Sequence, residues 1–421
     1  MMVARGMKEL AKSRLPESLL NFLRKIKWGV KKAFKKVMYL VGYIVFIPLS
    51  CLFPKNKKYI VLTSRFGDFE GNLKYFYLYL NSLEEDLDFI YLTEKKDVYR
   101  RLRKKGFKVW YYPSFITVLR MLRTPYLIVD GNEWTKNLKY FILFNTKKVQ
   151  LWHGTGLKTV GLLKPAIKNL SKFRQKLKKE YTFYHLLTLS SEYQVKVRGG
   201  AFRYGKLLIN GLPRNDIFFQ KGIPGKELGC DYATLEDCIS LRNRGLRIVA
   251  YTPTWRKYSH TFDQLDLDQM NLFARESGLI LVIKLHYKHE CSLDLKGFSN
   301  IREYDKYADV YPLLAHTDLL ITDYSSIYLD FLILGRPIVF YPYDSEAYIG
   351  NERELLLDYE TITPGPKCYS QGKLEREIYK HLVEGKDDFK RQREEMTVKF
   401  FKYRDGKSSE RLWRAIREHI L

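Results

Sequence analysis

A chain of 421 residues exceeds what one hydrophobic core usually holds, so about two domains plus an additional segment are expected. Cys51, Cys230, Cys238, Cys291 and Cys368 show no metal-like spacing and are odd in number, which argues for free thiols in a reducing compartment. The formal charge of +26, from 73 basic and 47 acidic residues, predicts a polyanionic partner: nucleic acid, an anionic lipid surface or a phosphorylated substrate.

Residues 1–58 hold 14 Lys or Arg against Glu9 and Glu17, a local excess of 12. Leu19, Leu20, Phe22, Leu23, Ile26, Val30, Ala33, Phe34 and Val37 recur at three and four, with Lys25, Lys31, Lys32, Lys35 and Lys36 opposite them, the pattern of a basic amphipathic helix. Val37 to Phe53 follows with no charge in 17 residues, interrupted by Pro48 and closed by Lys55, Lys57 and Lys58. That length is at the lower edge of a membrane span. The segment is read as lying in the interface, with a single span or an internal core helix as alternatives. Its late start and the lack of a small-residue cleavage site disfavour a signal peptide.

From Tyr59 onward, short apolar runs alternate with helical patterns: YIVLTS, DFIYLT, FKVWYY, YLIVD, KKVQLW, LLTLSS and LLING. After the Gly- and Pro-containing stretch Lys221 to Gly229 a second series begins, RIVAYTP, LILVIKLH, DLLITD and PIVFYP. This alternation predicts an α/β protein of two Rossmann-like halves. The divisions are 1–58 for the membrane-association segment, 59–225 for an N-terminal acceptor domain and 226–421 for a C-terminal donor-nucleotide domain, whose last helix has room to return to the first. The basic run Lys164 to Lys179 reads as a solvated linker or helix face.

The most informative stretch is Asp318 to Asp344. Two buried strands flank a short helix, and Ser325 and Ser326 fall at that helix's N-cap, where free N–H groups and hydroxyls past a strand's carboxyl end suit a phosphate. Asp330, one turn on, shares the face of Ser326 and could reach the hydroxyls of a nucleotide's sugar. Three other turns also directly follow predicted strands: Trp152-His153-Gly154-Thr155-Gly156, Thr252-Pro253-Thr254-Trp255-Arg256 and Lys284-Leu285-His286. Strand carboxyl ends line the ligand crevice of a parallel sheet, so all four turns should face the cleft between the halves. There His153 could take a proton from a hydroxyl, and Arg256 offers a planar fork for phosphate oxygens.

Walker, Gly-x-Ser-x-Gly, GxGxxG and HExxH patterns are absent, and no acidic cluster accompanies the four turns. No protein-built metal site or tightly bound cofactor is therefore expected; a magnesium ion would arrive with the substrate. Basic residues are not interleaved with aromatics on one platform, so nucleic acid is not the expected partner.

Taken in order, LWHGTGLKTVG, NGLPRND, TPTWR, KLH and TDYSSIYLD, with SRFGDFEGNLKYFY before them and YPYDSEAY and DYETITPGP after, resemble the CDP-glycerol glycerophosphotransferases of teichoic-acid synthesis. The resemblance spans roughly Lys58 to Arg404. It implies a GT-B-type fold and transfer of glycerol phosphate from CDP-glycerol to a hydroxyl of a membrane lipid-linked saccharide acceptor, releasing CMP, by a peripheral protein at the cytoplasmic face of the cell membrane. On this resemblance His153 matches the acceptor-side base and His286 the histidine near the donor diphosphate. Arg256, Ser325, Ser326 and Asp330 match donor-gripping positions, and Thr254 and Asp323 are grouped with them. Gly154, Thr155, Lys158, Arg214 and Asp216 fall in matching motifs and are grouped as an acceptor or phosphate loop. Tyr287 stands where the family commonly has Pro, which loosens the loop of His286. Rival readings are a CDP-ribitol-dependent ribitol phosphotransferase, a GT-B nucleotide-sugar glycosyltransferase and a non-catalytic membrane-bound binding protein.

Overall fold

The computed structural model describes residues 17–421 apart from 156–159, 165–166, 168, 173–174, 177–180, 221, 257–261, 290 and 346–357. Lys158 and parts of the 164–179 run and of YPYDSEAY thus lie outside the described residues.

The amphipathic pattern forms helix α1 (Glu17–Val41), which passes through a π-helical turn, Gly42–Phe46, into α2 (Ile47–Leu52). Pro48 explains the turn: it has no N–H to donate and its ring crowds the preceding turn, and the Ile47 N–H instead reaches back to the Gly42 carbonyl. Gly42 is required for a different reason, since a Cβ there would stand 2.2 Å from the Phe141 ring. Tyr39, Phe46 and Ile47 pack on Tyr140, Phe141 and Tyr181, whereas Leu40, Ile44 and Leu52 remain exposed. The uncharged run is thus part core helix and part open surface. Among the described residues no helix is long and apolar enough to cross a membrane.

Each apolar run contains a strand. β1 (Tyr59–Thr63), β2 (Asp88–Thr93), β3 (Val109–Tyr111), β4 (Tyr126–Val129), β5 (Lys147–Gln150), β6 (Phe183–Leu189) and β7 (Arg203–Ile209) form a parallel sheet in the order β3-β2-β1-β4-β5-β6-β7. β8 (Arg247–Thr252), β9 (Leu279–Ile283), β10 (Ile301–Glu303), β11 (Leu319–Thr322) and β12 (Ile338–Phe340) form a second, in the order β10-β9-β8-β11-β12. Sequence reading missed β10, which has three residues and a polar centre, too short to show a period. Both sheets reverse direction beside their first strand, between β1 and β4 and between β8 and β11, and ligands of doubly wound sheets bind outside such switch points.

Three helices matter for the site. α3 (Gly71–Leu80) follows the β1 loop, α4 (Ile327–Phe331) follows the two serines, and α5 (Ser408–His419) ends the chain. α4 runs into a 3-10 turn that stops at Gly335, whose φ of +66° is the left-handed conformation that favours glycine. From α5, Leu412, Trp413 and Ile416 enter the core of the N-terminal sheet, joining Leu73, Phe76 and Phe89. The chain therefore crosses between its halves twice.

Buried polar bonds join the halves as well. Lys74 of α3, with a side chain fully buried, donates to the Asp309 carboxylate at 2.8 Å and to the Lys226 carbonyl at 2.6 Å, while Tyr75 donates to the same carboxylate at 2.8 Å. Removing one member of such a pair strands the other in a dry interior. Lys74→Met is expected to lower unfolding free energy by about 3 to 5 kcal/mol, and adding Asp309→Leu to restore part of it. Urea titration of the two variants checks this; additive losses would deny the coupling.

Candidate active site

The loop after β5 is held by its carbonyls. Asn72 Nδ2 donates to Trp152 O at 2.7 Å, Arg214 Nη1 to His153 O at 2.7 Å and Arg198 Nη1 to Gly154 O at 3.1 Å. Trp152 has a φ of +56°, uncommon for a residue with a Cβ, and the Gln150 side chain accepts its N–H at 2.8 Å. The strain is thus held from both sides, by Asn72 of α3 and by Gln150 at the end of β5. Its effect is to turn His153 toward the cleft.

The His153 imidazole opens to the cleft on one edge and is hemmed in by protein elsewhere. Nδ1 lies 3.0 Å from the Asp130 carbonyl and Nε2 3.2 Å from Nη1 of Arg65. A carbonyl can only accept and a guanidinium can only donate, so the ring is neutral with its proton on Nδ1 and its lone pair on Nε2. Burial, and then the charge of Arg65, push its pKa down to about 3. The Asp130 carboxylate accepts the Arg65 backbone N–H at 2.8 Å, and burial pushes this carboxyl up to about 7.

The β11 loop faces this one from the other half. Ser326 Oγ lies 3.8 Å from where a Cβ on Gly154 would stand, which brings two of the sequence-derived motifs against each other. Ser326 occupies the N-cap position of α4 but makes no cap bond, and both serines are half-buried. α4 has five residues, too few for a substantial dipole, so hydroxyls rather than helix charge are what this turn offers. His286 is half-buried beyond β9, its Nδ1 accepting the Lys288 N–H at 3.3 Å, and Tyr287 brings its ring to 6.0 Å from Phe66 across the cleft.

Several of the sequence-derived site residues have other partners in the fold. Arg256 does not present its fork to the cleft: Nε and Nη2 meet Asp344 at 2.6 and 2.8 Å, and Nη2 also meets Asp323 at 2.8 Å. Asp323 in turn accepts from the Thr254 N–H and hydroxyl and from the Tyr324 N–H, so Thr254, Arg256 and Asp323 lock the β8 and β11 loops together. Asp330 is not open to a sugar hydroxyl, because Arg214 Nη2 grips both of its oxygens at 2.9 and 2.7 Å and Tyr311 donates to it at 3.0 Å. Asp216 lies away from the cleft, accepting the Ser408 and Ser409 N–H groups at the start of α5. Thr155 is buried, and among the described residues its hydroxyl has no partner.

Arg65, Asn72 and Glu70 were not singled out by sequence reading, though all three lie in SRFGDFEGNLKYFY. Arg65 lies two residues beyond the end of β1, and the strand-end rule applied to the first half as to the second would have found it. Glu70 stands at the start of α3 with its surface exposed, and desolvation of its carboxyl followed by the charges of Asp68 and Asp309 raise its pKa. Among the described residues no group of three or more His, Cys, Asp or Glu could hold a metal ion.

Residues 45–418 match the family described as CDP-Glycerol:Poly(glycerophosphate) glycerophosphotransferase. The chain belongs to this family. It is an enzyme of the glycerophosphotransferase class. A teichoic acid poly(glycerol phosphate) polymerase of Bacillus spizizenii is 27% identical over 84% of this chain and 91% of its own length. A teichoic acid glycerol-phosphate primase of Bacillus subtilis is 31% identical over 70% and 75%. A ribitol-phosphate polymerase, TarK of Staphylococcus aureus, is 25% identical over 92% and 73%. A solved structure of the wall teichoic acid polymerase TagF, soaked with CDPG, superposes with a TM-score of 0.72 over 95% of this chain and 98% of that one, at 22% identity, which establishes a shared GT-B-like fold.

The surroundings of His153 replace a simple expectation. An unperturbed imidazole would ionise near 6.5, whereas this one stays neutral well below that, and unfolding takes up its proton between about pH 3 and 6.5. Its contribution to stability is therefore complete above pH 6.5 and lost as pH falls. The Cε1–H NMR signal of His153, identified by its absence in His153→Asn, is expected to hold its neutral shift from pH 8 to pH 5. A midpoint near 6.5 would contradict the hydrogen-bond assignment.

Proposed function

We propose that the protein transfers glycerol phosphate from CDP-glycerol to a hydroxyl of a lipid-linked saccharide at the cytoplasmic membrane face and releases CMP. The observation that carries this reading is the neutral His153, lone pair on Nε2, facing the Ser325–Ser326 turn in a chain of this family. Nε2 accepts the acceptor's proton once Arg65 yields it to the incoming hydroxyl. That guanidinium then lies beside the phosphate oxygens, where spreading negative charge needs it. The donor diphosphate also offsets the positive field of Arg65, Arg214 and Arg198, which raises the proton affinity of His153 when it must accept. Ser325, Ser326 and His286 are the donor-side hydrogen-bonding groups on this reading. Thr254, Arg256, Asp323, Asp330 and Arg214 position them. A magnesium ion, where needed, comes with the donor.

CMP release by purified protein with a lipid-disaccharide acceptor, given CDP-glycerol or CDP-ribitol, tests the substrate. Preference for CDP-ribitol would move the chain to the chemistry named for TarK. His153→Ala is expected to lose about 100-fold or more in turnover at saturating donor, the usual scale for a general base, with donor binding little changed. Loss of CDP-glycerol binding in that variant, or near-normal turnover, would remove His153 as the base.

The membrane reading rests on α1, where Phe22, Trp28, Val30 and Phe34 are 58 to 66% exposed on a helix rich in lysine. Because Tyr39, Phe46 and Ile47 belong to the core, the informative truncation ends before them. Removing residues 1–36 is expected to abolish flotation with anionic vesicles at low salt and to spare transfer to a soluble acceptor analogue. Unchanged flotation would refute the anchor. A cut through residue 53 is expected instead to expose Tyr140, Phe141 and Tyr181 and to lower the melting temperature.

A further inference from the structure

Two tight turns, one from each half, meet tip to tip across the cleft. The first, Ser64 to Asp68, lies beyond β1. The Ser64 hydroxyl donates to the Asp68 carbonyl at 2.6 Å, and the Thr93 hydroxyl to the Gly67 carbonyl at 2.6 Å. Gly67 has a φ of +75°, and a Cβ on it would stand 2.9 Å from the Glu94 nitrogen, so the turn lies flush against the end of β2. The second turn follows β9. There the His289 N–H donates to the His286 carbonyl at 2.9 Å, and the Lys306 ammonium to the His289 carbonyl at 2.6 Å. Arg65 and Phe66 occupy the first tip, and Tyr287 and Lys288 the second. Lys288 is tied down in turn, its Nζ lying 4.7 Å from the centroid of the Trp255 ring.

A continuous series of side-chain contacts runs between the tips. Arg65 Nη1 lies 3.2 Å from His153 Nε2, and the guanidinium carbon 4.6 Å from the centroid of the Phe66 ring. The Phe66 and Tyr287 rings are 6.0 Å apart and inclined at 57°, and the Tyr287 and His286 rings are 4.3 Å apart. The two histidines assigned to opposite substrates are thus linked through Arg65, Phe66 and Tyr287. Arg65 needs that support. Its stem rests on Gly131, where a Cβ would stand 3.0 Å from Arg65 Cβ and Cγ, but its side chain is 41% exposed and meets Glu133 only at 3.5 Å. An exposed pair at that distance contributes little, and fixing a long side chain costs rotamer freedom. The face of Phe66 supplies a further hold by cation–π attraction. Phe66 is itself 42% exposed, and what abuts its ring from the other half is Tyr287.

We propose that Phe66 and Tyr287 are positioning residues, whose contact across the cleft holds the Arg65 guanidinium against His153 and in register with the His286 turn. The role in the reaction rests on the transfer reading above; the hold on Arg65 does not. In that reaction Arg65 passes from Nε2 to the phosphate oxygens, and a guanidinium lying on an aromatic face can slide without losing its support. Parting the rings lets Arg65 turn to solvent. Nε2 is then uncovered, while the positive charge needed beside the phosphorus is misplaced. Two readouts should therefore move in opposite directions: His153 becomes more reactive as turnover falls.

Diethyl pyrocarbonate acylates a neutral imidazole at its lone pair. Treatment of the full-length protein at pH 7, read peptide by peptide by mass spectrometry, gives the rate at His153, with half-buried His185 as control. Tyr287→Ala and Phe66→Ala are each expected to speed acylation of His153 about two- to tenfold, the worth of one aromatic pair, and the double variant no further than either alone. Tyr287→Phe keeps the ring and is expected to restore the wild-type rate. With CDP-glycerol and acceptor, the alanine variants are expected to lose about two- to tenfold in turnover at saturating donor, again restored by Tyr287→Phe. Unchanged acylation, additive effects in the double variant, an alanine-like Tyr287→Phe or an equal rise at His185 overturns the proposal. Faster acylation with full turnover overturns the positioning role. Absence of transfer by the wild type overturns the transfer reading and that role with it, while acylation still decides the hold on Arg65.

Discussion

Arg214 is the residue on which the site's geometry depends. It donates to the His153 carbonyl in one half and grips the Asp330 carboxylate in the other, with the Tyr311 hydroxyl closing the group. The ion pair is buried, with both side chains about 3% exposed. Such a pair adds little net stability compared with well-packed apolar residues, but its failure leaves an unpaired charge in the interior. What it supplies is registry. The backbone that carries His153 is tied to the helix that follows Ser325 and Ser326, so a change in the relative position of the halves moves both together.

The residues that build the site and those that present chemistry are largely different sets. Arg256, Asp323 and Thr254 bond to one another and to Asp344, and a guanidinium already shared by two carboxylates has little donor capacity left for a ligand. His153, Ser325, Ser326 and Arg65 stay partly exposed, with His153 and Arg65 bonded to each other. Pre-organisation of this kind needs a rigid frame around a few accessible groups.

That division marks where the sequence was legible. Strand positions and their carboxyl ends could be read because β-branched and aromatic runs bounded by turns repeat through both halves, and the locations of the four turns followed from that alone. The partner of each charged side chain could not. Asp330 shares a helix face with Ser326, and only the fold shows that Arg214, 116 residues earlier, reaches it first. Asp216 sits two residues from Arg214 in one motif, yet a 3-10 helix, Pro213–Phe218, separates their directions and sends the carboxylate to α5. β10 escaped because three residues carry no period.

The N-terminal segment shows how one apolar stretch can serve two environments. With 3.6 residues per turn, the face bearing Tyr39, Gly42, Phe46 and Ser50 meets the domain, while Leu40, Ile44 and Leu52 look outward. The π turn at Gly42–Phe46 adds a residue to one turn and so rotates α1 relative to α2. Pro48 makes the break, and Gly42 lets the helix approach Phe141 at that point. The direction in which α1 leaves the domain is therefore set by these two residues, not by the amphipathic pattern of α1 itself.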